Sequence, residues 1–432
     1  MSFDKLWLLF AQLTGLCVPA PFAMPLRRLS RAILSVCMLS GPCFTPGAGP
    51  MILTSKITKA KTARGLLTIL DASVDRPMFN YIHASAVAVR LVTFQKKGQL
   101  HESEGPIMTR LIRRIHQLIT QEVPPRELSN IFWAAATLML AVPALVGLVR
   151  PLSEALVEVA ERMNGRDLSN TLWATAKLQE FTPDALTIVP VIAQQITDKA
   201  SDMNAQELAN SLWATARLQI GAPDVLQVVP AIVPEIPRKA GNMKPQELAN
   251  SLWAAAWLQI AASDVLDMVP AIVPRILANA CNMKPQELSN CLWASARLKN
   301  SDSSVLKIVP SLVPLIIHRA SGMNPQGLSN CLWAAARLHD TAPDVLKIVP
   351  AIVQQISDKT CNMKLEDLSY VLAALVALEE LSGLSSSLIG LPWRGSIVPW
   401  TREQISDTFS KMQIPGGASG PGCKGFKRGV PP

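Results

Sequence analysis

The stretch that decides the fold is LANSLWATARLQIGAPDVLQVVPAIVPEIPRKAGNMKPQE, which occupies residues 208–247. The 40 residues that follow match it at 29 positions, and the pattern continues in both directions. One column of the repeat is tryptophan: Trp133, Trp173, Trp213, Trp253, Trp293 and Trp333. Another, three residues earlier, is asparagine: Asn130, Asn170, Asn210, Asn250, Asn290 and Asn330. Such a period is typical of helical repeats that pack only on their neighbours.

Each unit is predicted to form two helices, and the first has a clear beginning. Asn204 and Glu207 have the spacing of a capping box, and Pro245 stands where the first helical residue of the next unit belongs. At 100° per residue, one broad apolar face of this helix comprises Leu208, Ala209, Leu212, Trp213, Ala216 and Ile220. The sequence therefore predicts an all-α fold, an α-solenoid of about seven helical hairpins of ~40 residues each.

The second helix of the unit is expected from about Asp224 to Ala240. Its predicted inward face comprises Leu226, Val229, Val233 and Ile236. Pro230 and Pro234 interrupt this segment, and a proline inside a helix removes a backbone hydrogen bond and clashes with the preceding turn. We therefore expect a kink or a break into two short helices.

The positive charge of the chain belongs to its two ends. The net charge is +9, but residues 1–70 hold eight basic groups and one acidic group, and residues 381–432 hold six and two. The remaining residues, 71–380, hold 27 basic and 29 acidic groups. The basic composition therefore gives no evidence that the body of the protein binds a polyanion.

The N-terminal segment has the composition of a targeting leader. Residues 6–24 are uncharged and apolar, and no acidic residue follows until after residue 70, whereas Arg, Lys, Ser and Thr are frequent. A retained membrane anchor is the alternative. The predicted domains are a removed leader (1–60), a divergent helical cap or half-repeat (61–127), the repeat array (128–380), and a degenerate cap with a disordered Gly/Pro tail (381–432).

No motif of an enzyme or a metal centre is present in the sequence. The five histidines are scattered, and the eight cysteines show neither CxxC nor zinc-finger spacing. GxSxG and GxxxxGK[ST] do not occur, and no GxGxxG follows a strand pattern. We therefore expect no catalytic residue, no metal, no cofactor and no small-molecule substrate, and we interpret the cysteines as reduced structural residues.

The Trp and Asn columns each allow two interpretations. A tryptophan that recurs among Leu and Ala is expected to fill the core between repeats, although a base-stacking platform is the alternative. The asparagine is expected to be a buried amide that hydrogen-bonds to backbone groups, rather than a residue that contacts a ligand.

A spine of cations follows the Trp column and suggests an RNA-binding surface. Its members, one turn beyond the tryptophan, are Lys177, Arg217, Arg297 and Arg337, with Trp257 interrupting them. They are predicted to hold phosphates, although cations that cover a solvated helix edge are the alternative. A polar stripe of the first helix is predicted to read base edges through Thr175, Thr215, Ser295, Gln179, Gln219, Gln259, Lys299 and His339.

The pattern LSNxLWAxAxLxxxxPDxLxxVxPxI resembles the repeats of octotricopeptide-type proteins and of the related RAP-domain and FAST-kinase-like proteins. The resemblance covers roughly residues 68–380. It implies an α-solenoid that is imported into mitochondria or plastids, binds RNA, and acts in transcript processing, stability or translation. Two features depart from the family: the period of 40 is slightly long, and no RAP-like domain follows the repeats.

Two functions therefore remain open from the sequence. The first is an organellar RNA-binding solenoid, which would act as a monomer on single-stranded RNA. The second is a protein-binding scaffold of HEAT or armadillo type. A membrane contact is expected only through a leader that is not cleaved.

Overall fold

The computed structural model describes residues 48–100, 105–359 and 363–382. Within these ranges every regular element is an α-helix or a 3₁₀-helix, which confirms the all-α prediction. The predicted Gly/Pro tail and most of the predicted leader lie outside the described residues.

Four helices precede the array: α1 Ala48–Lys59, α2 Ala63–Ser73, α3 Tyr81–Gln95 and α4 Gly105–Ile119. The first helices of repeats 1 to 6 are α5 Pro125–Leu138, α7 Gly165–Leu178, α9 Ala205–Leu218, α12 Pro245–Leu258, α14 Pro285–Leu298 and α16 Pro325–Leu338. The second helices are α6 Val149–Val159, α8 Val189–Lys199, α10 Val229–Ile232 with α11 Glu235–Lys239, α13 Val269–Asn279, α15 Val309–Arg319 and α17 Val349–Lys359. A seventh copy begins with α18, Leu365–Ser382.

The first helices pack side by side in one layer. Each of α5, α7, α9, α12, α14, α16 and α18 contacts the next, and α3 packs against α5 in the same way. Leu208 and Leu212 are fully buried, and small residues such as Ala209 and Ala214 let neighbouring helices approach closely. The second helices form the other layer. The solenoid of helical repeats is thereby confirmed for the compact unit that begins at Ile57.

The first helices begin as the sequence predicted. The Asn204 side chain accepts hydrogen bonds from the backbone N–H groups of Gln206 and Glu207, and Glu207 Oε2 accepts one from the Asn204 N–H at 2.9 Å. Pro245 is the first residue of α12. Asn80 forms the same capping box with His83 at the beginning of α3.

The second half of each repeat begins with a 3₁₀-helix, which shifts the phase of its buried face. In repeat 3 this segment is Pro223–Val228. Because a 3₁₀-helix has three residues per turn, Val225 and Val228 point inward and are fully buried. The prediction that Leu226 lies on the inward face is wrong, since it was placed with the α-helical period and is half-buried. Val229 and Ile236 are buried as predicted.

A break in the second helix occurs in repeat 3. The helix there is divided into α10 and α11, whereas α13 and α15 continue through Pro274 and Pro314. Repeat 3 differs by a second proline, Pro237, where its sister repeats have Leu277 and Ile317. Two missing N–H groups within one turn therefore break the helix, and a single proline is tolerated.

Cations of the second helices connect repeats 2, 3, 5 and 6 to the repeat before each of them. Lys199 Nζ donates hydrogen bonds to the carbonyl oxygens of Glu161 at 2.7 Å and Met163 at 2.9 Å. Lys359 makes the equivalent bonds to Ser321 and Met323, both at 2.7 Å. These ammonium groups satisfy carbonyls that the short turn after the second helix leaves without a helical partner.

One segment within the described residues, Ser303–Gly322, has the length and apolar composition of a membrane-crossing helix. Its residues Val309, Leu312 and Ile316 are fully buried in the array. Since the sister repeats place equivalent segments in the same layer, core packing accounts for its composition.

We expect Pro237→Leu to restore a continuous second helix in repeat 3. The substitution supplies an N–H donor and removes a clash, so the free energy of unfolding should rise by about 1–3 kcal/mol. Chemical denaturation followed by circular dichroism measures it. The matched control, Leu277→Pro in repeat 4, should lower stability by a similar amount. An unchanged midpoint for both variants would show that the second proline does not cause the break.

Candidate nucleic-acid interface

The solvent-facing stripe of the first helix is not the one that the sequence suggested. In α9 the residues that remain accessible along one face are Gln206, Asn210, Trp213 and Arg217, at intervals of four, three and four residues. Ile220, which was predicted to be in the core, continues this stripe and is 77% exposed. We call the surface formed by the first four positions in repeats 1 to 6 the Trp face.

Four columns make up the Trp face. The first column contains Arg126, Arg166, Gln206, Gln246, Gln286 and Gln326, which are all exposed. The next two are the Asn and Trp columns. The fourth contains Thr137, Lys177, Arg217, Trp257, Arg297 and Arg337. The sequence did not predict the first column. Because the tryptophan was assigned to the core, the solvent-facing surface was expected on the opposite side of the helix.

The tryptophans from Trp173 to Trp333 form a row in which each ring packs on the next. Ring centroids from Trp173 to Trp333 are separated by 6.2, 6.0, 6.1 and 5.9 Å along the row. Trp293 and Trp333 are buried, whereas the other four members of the column are half-buried. The predicted packing between repeats is therefore present, but the ring edges of the first four repeats also line an open surface.

The spacing of the rings shows that the first helices converge on this side. Axes of packed helices are about 8–10 Å apart. The ring centroids are only 5.9–6.2 Å apart. Equivalent atoms are closest together on the inner side of a curved layer, so the Trp face is concave.

The cations of the fourth column lie against the rings. Lys177 Nζ is 5.8 Å from the Trp173 centroid and 5.2 Å from that of Trp213. The Arg337 guanidinium lies 5.7 Å from the Trp333 centroid. Burial lowers the pKa of Lys177, and the positive charge of Arg217 lowers it further. Burial likewise lowers the pKa of Arg337. These groups have lost part of their hydration and gained a cation–π contact.

Two carboxylates just beyond the cation column, Glu180 and Asp340, lie near these cations. Among the described residues, Arg217 is the one member of the column that forms an ion pair, with Glu180. Across repeats 1 to 6 the Trp face holds six cations, including Arg126 and Arg166 of the first column, and no carboxylate. The four columns of the Trp face are therefore positively charged, although the array as a whole is slightly acidic.

Trp257 interrupts the cation column in repeat 4. Its ring lies 5.7 Å from that of Trp253 and 5.5 Å from that of Trp293. The Arg297 guanidinium stacks on this cluster, 4.8 Å from the Trp257 centroid and 5.0 Å from that of Trp293. Arg297 Nε also donates to the Ala256 carbonyl at 3.1 Å, and burial lowers its pKa. The middle of the Trp face is thus more aromatic and less charged than its ends.

The Asn column does not serve the role predicted for it. Asn130 donates a hydrogen bond to Ser85 Oγ at 3.3 Å. The other five amides, from Asn170 to Asn330, are half-buried and make no hydrogen bond within the described part of the chain. The prediction of buried amides bonded to the backbone is therefore wrong for all six, since Asn130 bonds to a side-chain hydroxyl. The other five offer a row of unpaired donors and acceptors beside the rings.

The hydroxyls predicted to read bases are inside the array. Thr175, Thr215 and Ser295 are fully buried, and each donates to the carbonyl four residues earlier at 3.0, 2.9 and 2.9 Å. The predicted exposure is wrong because a helical hydroxyl can satisfy itself on the preceding turn, so its polarity did not indicate contact with solvent. We remove these three residues from the candidate interface.

The remaining predicted readers connect neighbouring repeats. Gln179 Nε2 donates to the carbonyls of Ala176 at 3.2 Å and Arg217 at 3.0 Å, which lies in the next repeat. Gln219 and Gln259 repeat this pattern. Lys299 Nζ reaches the Arg337 carbonyl at 2.6 Å.

His339 in repeat 6 occupies the same column. Its ring nitrogen Nδ1 lies 3.0 Å from the Ala336 carbonyl. We therefore interpret Gln179, Gln219, Gln259 and Lys299 of this column as a clamp, that is, as side chains that hydrogen-bond the first helices of neighbouring repeats to each other. We no longer interpret the column as a surface that contacts bases.

The described cysteines and acidic residues form no metal site. No group of three or more His, Cys, Asp or Glu side chains with suitable geometry occurs in the described ranges. Cys291 and Cys331 are buried, and this burial raises the pKa of both thiols. They pack as small apolar residues, whereas Cys281 is exposed.

These features define a helical-repeat solenoid with a concave surface of aromatic, amide and cationic side chains. No protein-family model matches the chain, and no curated protein is similar to it.

We expect Gln179→Ala to weaken the contact between repeats 2 and 3. Loss of two hydrogen bonds to backbone carbonyls should lower the free energy of unfolding by about 1 kcal/mol. Chemical denaturation measures it. Gln246→Ala is the matched control, since the Gln246 side chain is exposed, and it should change stability by less than about 0.5 kcal/mol. Equal stability of the two variants would contradict the clamp.

Proposed function

We propose that the Trp face binds single-stranded RNA, and that the protein is an organellar RNA-binding solenoid that acts in transcript processing, stability or translation. The observation that carries this proposal is the composition of the four columns: six cations and no carboxylate among them, together with a row of tryptophans and unpaired amides. Proteins that bind single strands combine a positive groove with aromatic side chains in this way.

The arrangement of the columns supports an orientation for the strand. The cations lie one turn from the tryptophans and would hold phosphates. Asn210 lies seven residues from Arg217, about 10 Å along the helix axis, on the other side of the ring. Bases attached to a backbone at the cation column would therefore extend over the Trp column towards the amides.

Unsatisfied donors on the same face also favour a ligand that is rich in acceptors. Arg217 Nε, Arg337 Nε, Trp257 Nε1 and Trp333 Nε1 are buried and have no acceptor among the described residues. Buried donors without partners carry a free-energy cost. Phosphate and base oxygens could reduce this cost after a small shift of the rings.

A protein-binding scaffold is the second candidate, and a different surface favours it. Large apolar side chains are exposed along one edge of the first-helix layer, at Leu140 (84%), Ile220 (77%), Ile260 (66%) and Phe181 (42%). Exposed apolar rows of this kind occur at protein–protein interfaces. RNA binding requires the cations of the Trp face, whereas protein binding through the exposed apolar side chains does not. One experiment on the cations can therefore separate the two functions.

We expect an Arg217→Gln, Arg297→Gln, Arg337→Gln triple variant to bind RNA more weakly than the parent, and its affinity to depend less on salt concentration. The four cations of the column predict a slope of about −3 for log affinity against log salt, and three fewer contacts should reduce its magnitude by about 2. Fluorescence anisotropy with a mixed-sequence RNA at several salt concentrations measures it.

The matched control is Arg150→Gln, Arg275→Gln, Lys307→Gln, which changes the charge equally at exposed positions of the second layer. This variant should keep the parental slope. If the two triple variants bind RNA equally, the Trp face is not the RNA site. If the parent binds no RNA while co-purifying with a defined protein, the scaffold function is supported instead.

We expect residues 1–70 to direct a fluorescent reporter to an organelle. The apolar beginning and the absence of acidic residues from position 5 to position 70 support this part of the proposal. Microscopy of the fusion identifies the compartment, and a fusion of residues 71–432 is the control that should remain cytosolic. A cytosolic signal from the first fusion would contradict organellar targeting.

A further inference from the structure

Repeats 3 to 6 present the same side chains to a ligand at nearly equal intervals. The first column contains glutamine in all four repeats, at Gln206, Gln246, Gln286 and Gln326. The Asn and Trp columns are invariant there, and the rings recur at 6.0, 6.1 and 5.9 Å. The Gln and Asn columns therefore repeat over four units, whereas the Trp ring lines the open surface in repeats 3 and 4 and is buried in repeats 5 and 6.

The column that was expected to vary from repeat to repeat and read a sequence is not available. Thr215 and Ser295 are buried, and Gln219 and Gln259 bond to backbone carbonyls of their own and the following repeat. Beyond the cation column, Ile220 and Ile260 are exposed but cannot form hydrogen bonds with a base edge. In repeats 3 and 4 the polar groups that remain free to contact bases are the amides of the Gln and Asn columns.

In repeats 5 and 6 the position that Ile220 and Ile260 occupy is polar, at Asn300 and Asp340, so the groups that all four repeats share are the Gln and Asn amides. Repeats that share these amides select a ligand whose own units are alike. When each repeat contacts one nucleotide, the side chains of that repeat determine which base is bound. Four repeats with the same Gln and Asn amides must then prefer the same base four times. A mixed sequence would place a less favourable base against at least some of these repeats.

We infer that repeats 3 to 6 recognise a run of one nucleotide type, so that the RNA ligand contains a homopolymeric stretch of about four residues. This inference rests on the proposed function and names the class of RNA that the Trp face binds. Trp257 does not alter the bases contacted, because it replaces a phosphate-binding cation and leaves Gln246, Asn250 and Trp253 in place.

The two Arg residues of the first column limit the extent of this run. Repeats 1 and 2 have Arg126 and Arg166 where the later repeats have glutamine. A guanidinium offers donors only, whereas an amide offers a donor and an acceptor. The nucleotides opposite repeats 1 and 2 should therefore differ in type from those of the run.

The test uses the full chain and four 12-nucleotide RNAs with common flanks, each with a central run of four A, C, G or U. A fifth RNA has the four nucleotides mixed in the centre. We expect one run to bind at least about tenfold more tightly than the mixed RNA. Equal binding of the mixed RNA and every run would overturn the inference, although the proposed function would stand. Failure of all five RNAs to bind would overturn the proposed function itself.

A change of one repeat tests whether the Gln column causes the preference. In Gln246→Arg, the second of the four identical positions changes, so the best ligand should be the preferred run with one nucleotide replaced, and the unbroken run should bind about tenfold less tightly. Gln227→Arg adds the same group at an exposed position of the second layer and should keep the parental ranking.

Thermal unfolding confirms that each variant is folded, and Gln286→Arg provides a second position if Gln246→Arg is not. A folded Gln246→Arg or Gln286→Arg variant that ranks the RNAs as the parent does would overturn the role of the column.

Discussion

Side-by-side packing of the first helices is the contact on which the rest of the structure depends. Each of these helices meets a nearly identical neighbour on both sides, so the residues at the contacts must be small or aliphatic in every copy, as Ala209, Ser211, Ala214 and Thr215 are. This packing places each residue beside its equivalent 40 positions away. Columns of like side chains follow directly, and the stacked tryptophans are the largest of them.

The sequence was sufficient to predict the fold because its strongest signals are local and repeated. The capping residues Asn204 and Glu207, the proline at the first helical position and the period of 40 each depend on backbone geometry within one unit. The Trp and Asn columns repeat this period in six copies, which makes a chance match implausible. The 3₁₀ segment was not predicted, because Val225 and Val228 satisfy both a 3.0 and a 3.6 period over so short a stretch.

The candidate site was predicted only in part, for a physical reason that concerns amphipathic side chains. Tryptophan has an apolar ring that packs and an edge that can remain accessible, so its position in the sequence does not reveal which side of the helix faces solvent. Threonine gives the opposite error: Thr215 is polar and was therefore predicted to be exposed, but it is fully buried. A helical wheel does indicate the solvent-facing side. On it, Gln206, Asn210 and Arg217 lie within about 40° of one another, and Trp213 lies next to them. Three columns of long or amide side chains in register are better evidence of an open face than three hydroxyls.

The two layers use cations in different ways, and this difference produces the electrostatic character of the Trp face. In the second layer, Lys199 and Lys359 direct their charge at backbone carbonyls of the previous repeat, where it stabilises the stacking of repeats. On the Trp face, Lys177 and Arg337 lie over aromatic rings, which hold a cation without neutralising it. A carboxylate partner would have fixed the same side chains in place and cancelled their field. Where rings take the place of carboxylates, as they do for Lys177 and Arg337 but not for Arg217, the concave surface keeps its positive charge while residues 71–380 carry slightly more acidic than basic groups.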